Sequence, residues 1–200
     1  MIDEKTKELL IAELKRDSCG VFEPIVRTTI LHGNADDIVS QSIVFNAPHV
    51  LNKVLPYTNY ATEKYHQALH SAVIYDNVPC VEVLWERADP SFQQQYNLLK
   101  QSMLHKKVNM AHYLLDKGVD PTDKDQTLLA LCVCQRYETL VEVLLKKCDH
   151  KIALDCLHTE YMHCYDSWQW FDDMMNAREQ KRVLEDSVCQ NSVKPSFRKI

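Results

Sequence analysis

Between residues 148 and 164 the chain gathers three cysteines and three histidines, Cys148, His150, Cys156, His158, His163 and Cys164, side chains that ligate borderline and soft metals. His158 and His163 have the H-x3-5-H spacing of a zinc module, but no C-x2-4-C pair stands by to complete four ligands. In "HTEYMH" the two histidines are five apart, about 140° around a helix, so they cannot share a metal from one helical face. A Cys/His nucleophilic pair is defined only in space, and nothing in the order of residues selects one. The chain carries no G-x-S-x-G, no P-loop, no dinucleotide fingerprint and no paired-carboxylate motif, and its three glycines are too scattered to cradle a phosphate. Packed thiols and surface imidazoles are the simpler reading of 148–164. A zinc-binding module or metal-dependent enzyme using Cys156, His158, His163 and Cys164 is the alternative.

With reactive chemistry this sparse, the burden falls on the elements that would hold a surface. Two hundred residues, 46% hydrophobic and 26% charged, can bury a sizeable core. A formal net charge of -5, with both signs interspersed, sets up no basic field and argues against nucleic acid or an anionic membrane as partner. The first 16 residues, "MIDEKTKELLIAELKR", lack the uninterrupted apolar segment of a signal peptide, and no 18-residue apolar run follows. Eight cysteines are too few for a disulfide scaffold in a chain this long. The expectation is a soluble chain with reduced thiols in the cytoplasm.

The strongest signal is a period of 30. Leu69 falls on Leu99 and Leu129, Ala72 on Ser102 and Cys132, Val81 on Ala111 and Val141, and Leu84 on Leu114 and Leu144. Trp85, Leu115 and Leu145 continue the register. One step back gives Val39, Ser42, Leu51, Val54 and Leu55 in the same order of sizes. One step forward loses the small residue and brings Met162, Phe171, Met174 and Met175, so the fifth unit is atypical, as terminal units of a stack are. A large residue, a small one three on and an apolar cluster twelve to thirteen later describe two helices, with Ala, Ser or Cys where backbones approach. Pro48 and Pro79 suit first helical turns, and Gly20, Gly33 and Gly118 lie where helices end.

"QALHSA", Gln67 to Ala72, ahead of "VEVLWERADP", Val81 to Pro90, resembles the ankyrin repeat, whose signature is T-P-L-H-x-A before a second helix and a turn. "AHYLLDKGVDP", Ala111 to Pro121, resembles the close of the same unit, with Gly118 at the exit from the second helix. The Thr-Pro that opens the family's first helix is replaced by Gln67-Ala68, Asn97-Leu98 and Thr127-Leu128, and the glycine is missing near Ala88 and Cys148. The fold expected is all-α, an ankyrin-like α-solenoid of stacked helix pairs with helical N- and C-terminal caps; the lost residues put β-hairpin fingers in doubt. The organisation expected is a cap over 1–36, repeats over about 37–63, 64–94, 95–124 and 125–150, an atypical unit and capping helix over 151–187, and a basic tail over 188–200. Trp168, Phe171, Met175 and Arg178 stand at helical spacing in that cap, and Leu9, Leu10, Ile11 and Leu14 give the first one apolar stripe.

The resemblance implies a protein partner held on the concave face of first helices and in the loops between repeats, with no cofactor, no reaction and no small-molecule substrate. Carried onto this sequence, the face is Ser71, Tyr75, Gln101, His105 and Gln135, and the loops offer Phe92, Gln94, Lys124 and Asp125. Irregular units of this kind are similar to those of viruses and host-manipulating bacteria, which implies an inhibitor of a host or defence protein.

Overall fold

The computed structural model describes residues 4–17, 35–58, 60–122, 127–148 and 165–192, and among them every regular element is helical. In chain order these are α1 (Glu4–Arg16), α2 (Ala35–Val44), α3 (Pro48–Val54), α4 (Thr62–Ile74), α5 (Val78–Ala88), α6 (Phe92–Leu104), α7 (Val108–Asp116), α8 (Thr127–Cys134), α9 (Glu138–Leu144) and α10 (Tyr165–Ser192), with a 3-10 turn at Leu55–Tyr57. The chain divides into two compact units, residues 1–121 and 122–200.

In the first unit the helices form hairpins, α2 with α3, α4 with α5, and α6 with α7. The first helices α2, α4 and α6 pack side by side, and α3 packs on α5 behind them. The 30-residue period is the period of this packing. Val39, Leu69 and Leu99, the small Ser42, Ala72 and Ser102, and the second-helix residues Val81, Ala111, Leu84 and Leu114 are all buried. At the small position a hydroxyl is buried without penalty because it bonds within its own helix: Ser42 Oγ donates to the Ile38 carbonyl and Ser102 Oγ to that of Leu99, both at 2.7 Å. Pro48 and Pro79 sit in first turns, as their sequence positions suggested.

The turn inside each hairpin repeats in its backbone bonds. The N–H of Ala47, Asn77 and Lys107 reaches the carbonyls of Ser42, Ala72 and Ser102 at 2.7–3.0 Å, and the preceding residue bonds three back, which is the Schellman closure. The residue that turns left-handed is Asn46 (φ 52°), Asp76 (63°) or Lys106 (59°), and none of these is glycine. In the second unit Arg136 (φ 56°) makes the same turn, with Tyr137 N–H on the Cys132 carbonyl. Near Ala88, where the sequence lacks a glycine, Asp89 takes the left-handed exit from α5 (φ 42°).

Side chains tie one hairpin to the next. The Asn77 amide donates to the Ile43 carbonyl, Cys80 Sγ lies 3.8 Å from the Ser42 carbonyl oxygen, and Arg87 donates to Asn52 at 2.9 Å. On the second helices Trp85 is half-buried, and the Lys117 ammonium sits 5.4 Å from its ring and 5.7 Å from that of Tyr113, a doubled cation–π contact. Helix α1 buries Leu10 and Leu14, while Ile11 is half-buried and Leu9 exposed, since four residues so closely spaced span more of the helix than one face can cover. At its end the Asp17 carboxylate accepts the N–H groups of His49 (3.0 Å) and Val50 (3.2 Å) and contacts His49 Nδ1. Asp17 thereby caps α3, whose own preceding residue, Ala47, offers no side-chain acceptor.

In the second unit α8 pairs with α9, and Leu129, Cys132, Val141 and Leu144 keep the buried register. α10 packs on α8 through buried Phe171 and through Ser167, whose Oγ donates to the Cys134 carbonyl at 3.1 Å. This is a helix laid on the last pair; Met175 is half-buried and Arg178 exposed. It runs to Ser192, into the stretch expected as tail, and from Asn176 to Ser187 every residue is exposed. The side chain of Trp168, and residues 18–34, 149–164 and 193–200, lie outside the described residues.

Candidate functional site

Helix α4 stands between α2 and α6, and a groove runs along each side of it. The α2/α4 groove holds about 360 Å³, with Asp36, Ser40 and Val44 on one wall and Lys64, Gln67 and Ser71 on the other. The α4/α6 groove holds about 400 Å³ between His66, Gln67, His70 and Ser71 and the α6 side chains Gln94 and Asn97, over Leu69 and Leu98. Gln67 and Ser71 line both grooves and form the ridge between them. Asp36 meets Lys64 at the starts of α2 and α4, and Val44 and Tyr75 line the same groove at their ends, so the helices run parallel.

The α2/α4 groove is closed at its start by groups that satisfy one another. Lys64 Nζ lies 2.5 Å from Asp36 Oδ2 and 5.3 Å from the Tyr60 ring, which meets Tyr65 edge to face at 5.3 Å. Burial, and then the Asp36 carboxylate with which it hydrogen-bonds, push the Tyr60 phenol above its ordinary value, so it stays protonated.

In the α4/α6 groove one bond fixes the rest. The Ser91 N–H donates to Gln94 Oε1 at 2.9 Å, so the other end of that amide is the donor, and it lies 2.9 Å from His66 Nδ1. His66 must accept there, which leaves Nε2–H to donate to the Ala88 carbonyl at 2.7 Å. Ser91 and Gln94 also form a capping box on α6. The wall is therefore braced from α4, from the end of α5 and from the first turn of α6. Among the described interactions, the side chains of Glu63, Gln67 and His70 make no hydrogen bond or ion pair, and they face the groove with their bonding capacity unspent.

Of the residues expected at the site, Ser71 and Gln94 line the α4/α6 groove, and Tyr75 the other. Gln101 is half-buried on α6, and His105 is exposed just past it. Gln135 is exposed at the equivalent position after α8, in the second unit. Phe92 and Gln94 were expected in a loop. They belong instead to the first turn of α6, because the capping box starts that helix five residues before Asn97. Lys124 and Asp125 lie outside the described residues. Glu63, His66, His70 and Asn97 were missing from the expected site. The spacing Ser91-x-x-Gln94 was a legible sign of the early helix start; nothing in the sequence marked His66 as its partner.

Of the 148–164 cluster, Cys148 is buried and the other five members lie outside the described residues. Among the described residues no three His, Cys, Asp or Glu side chains are placed to hold a metal ion, and no helix is long and apolar enough to cross a membrane. In the second unit a cleft of about 640 Å³ between α9 and α10 is lined by Met174 and Met175 with charges of both signs.

No curated protein and no solved structure matches the chain. Residues 69–156 match the family model for ankyrin repeats, in three copies. That stretch opens at Leu69 in α4 and takes in α5 to α9, the helices that carry the 30-residue register. With the match and the repeated turn in agreement, residues 69–156 carry ankyrin repeats, which are protein–protein interaction modules.

Proposed function

We propose that this chain is a non-enzymatic binding module that holds a partner protein on the face built by α2, α4 and α6, and so sequesters, inhibits or tethers it. The observation that carries the reading is the pair of grooves sharing Gln67 and Ser71, with an apolar floor, unspent polar side chains and exposed aromatics, Tyr75 and Phe92, at the margins. Aromatic anchors beside a concave, partly polar surface are what a protein interface needs. The proposal extends to a cytoplasmic setting, in which the thiols stay reduced, and to a viral or bacterial factor directed at a host or defence protein, in keeping with units so far from the family's consensus.

Affinity capture from a lysate tests the reading, with wild type set against Ser71→Arg, which puts a long charged side chain on the ridge that both grooves share, and against the triple change Tyr75→Ala, His105→Ala, Gln135→Ala. A protein held by wild type and lost from the folded Ser71→Arg chain is the expected result. Equal capture by all three would move the binding surface off this face.

A further inference from the structure

We infer that the segment received by the α4/α6 groove is an extended stretch of about five or six residues with a Lys or Arg side chain at one end and a bulky apolar side chain at the other, an inference that rests on this face being the binding face. Packed helices lie about 8–10 Å apart, whereas a helix with its side chains is about 10–12 Å across, so a helix cannot sink between two neighbours. A groove of about 400 Å³ takes an extended chain and a few side chains. The α4 residues that line the groove, Glu63 to Ser71, span 8 steps of about 1.5 Å, roughly 12 Å, and continuing to Tyr75, just past the end of α4, makes roughly 18 Å, which an extended peptide covers in five or six residues.

Each end of the groove has its own chemistry. At the start, Glu63 is exposed and unpaired among the described residues, while Lys64, the cation lining the neighbouring groove, is already held by Asp36. His66 has both ring nitrogens engaged and offers nothing to an anion. An unopposed carboxylate at the mouth favours a cationic side chain. Past Ser71 and Leu98, where the lining of this groove stops, α4 and α6 end in Ile74 and Leu104, at the position that Val44 holds in α2 beside the neighbouring groove. Val44 is 48% exposed and Leu104 46%, Ile74 is half-buried, and Tyr75 beside it is 52% exposed, although Leu69, Val73, Leu99 and Met103 of α4 and α6 are all buried. Large apolar side chains left in solvent at a repeating position form a landing for another. Between the two ends, the Gln67 amide and the His70 imidazole both donate and accept, which suits a peptide backbone better than an anion.

The test is selection of a random dodecapeptide phage library on the full chain, on Glu63→Lys and on Ser71→Arg, each variant used after its thermal unfolding midpoint is shown to match wild type. Wild type should enrich peptides that pair Lys or Arg with Leu, Ile, Phe or Tyr four or five residues away, and Ser71→Arg should abolish the enrichment. Glu63→Lys should turn the preference toward Asp or Glu and weaken a synthetic wild-type winner roughly fivefold or more. Peptides that lack the cation, or that ignore Glu63→Lys yet are lost on Ser71→Arg, would overturn the inference and leave the face standing. Peptides indifferent to Ser71→Arg would overturn both, and no enrichment on wild type would overturn the inference of a short extended ligand.

Discussion

Replacing Lys106 by glycine should stabilise this protein, although the change removes a side chain and loosens the unfolded backbone. Lys106 holds φ at 59° in the Schellman turn between α6 and α7 and is exposed; its N–H bond to the Met103 carbonyl survives the change, and its side chain makes no hydrogen bond or ion pair among the described residues, so nothing is lost with it. A side chain in the left-handed region costs about 1–2 kcal/mol and relief of that strain is the gain; the extra freedom of glycine in the unfolded chain takes back about 0.5–1 kcal/mol. The balance is about 0.5–1 kcal/mol, or a rise of about 1–4 °C in the unfolding midpoint for a chain of this size. Asn46→Gly, at the same turn in the first hairpin, should gain less, because asparagine tolerates this conformation. The reverse experiment is Gly118→Ala. Gly118 has φ 94° and an added Cβ would meet nothing within 4 Å, so the cost of about 1–2 kcal/mol is backbone strain alone. Urea unfolding followed by far-UV circular dichroism, with m compared across the set, measures all three. If Lys106→Gly destabilises at unchanged m, the left-handed turn is not a site of strain and the sign assigned to it is wrong.

Further outcomes can be measured in the same way. Leu84→Ala empties a fully buried position of α5 and should cost about 2–5 kcal/mol, whereas Leu104→Ala, at a 46% exposed position, should stay within about 0.5 kcal/mol; equal losses would mean that the row of exposed apolar residues is part of the core. Asp17→Ala strips the first turn of α3 of its acceptor and should cost about 0.5–2 kcal/mol, while Asp17→Asn should keep part of it. Burial pushes the Cys80 thiol up from 9.0 to about 12 and raises Cys132 as well, so neither should react with a thiol reagent at pH 8 until the chain unfolds. Because the folded chain holds these protons more tightly than the unfolded one, their contribution to stability is full below pH 9 and declines as pH rises toward 12; stability rising over that interval would refute the assignment.

The sequence by itself determined the hairpin stack and most of its core. A repeating unit meets its neighbours through the same positions each time, so burial imposes one residue size at each step of 30, and Leu69, Ala72, Val81 and Leu84 with their equivalents lie buried where that rule put them. The turns were harder to read. Asn46, Asp76, Lys106 and Arg136 share a conformation without sharing a residue type, and with no glycine to mark them the repeat is carried by backbone hydrogen bonds alone. Tertiary structure decided the groove. Its walls belong to different repeats, and the contacts that shape it, Asp36 with Lys64 and His66 with Gln94, join the same two positions one period apart across 28 residues but through different residue types, an ion pair in one repeat and an amide on an imidazole in the next, with His66 also reaching Ala88. Helical spacing alone put Glu63, Gln67 and His70 on one face of α4, but exposed positions carry no burial constraint that would force a period on them, so only the packing of α6 beside α4 brought Gln94 and Asn97 opposite them.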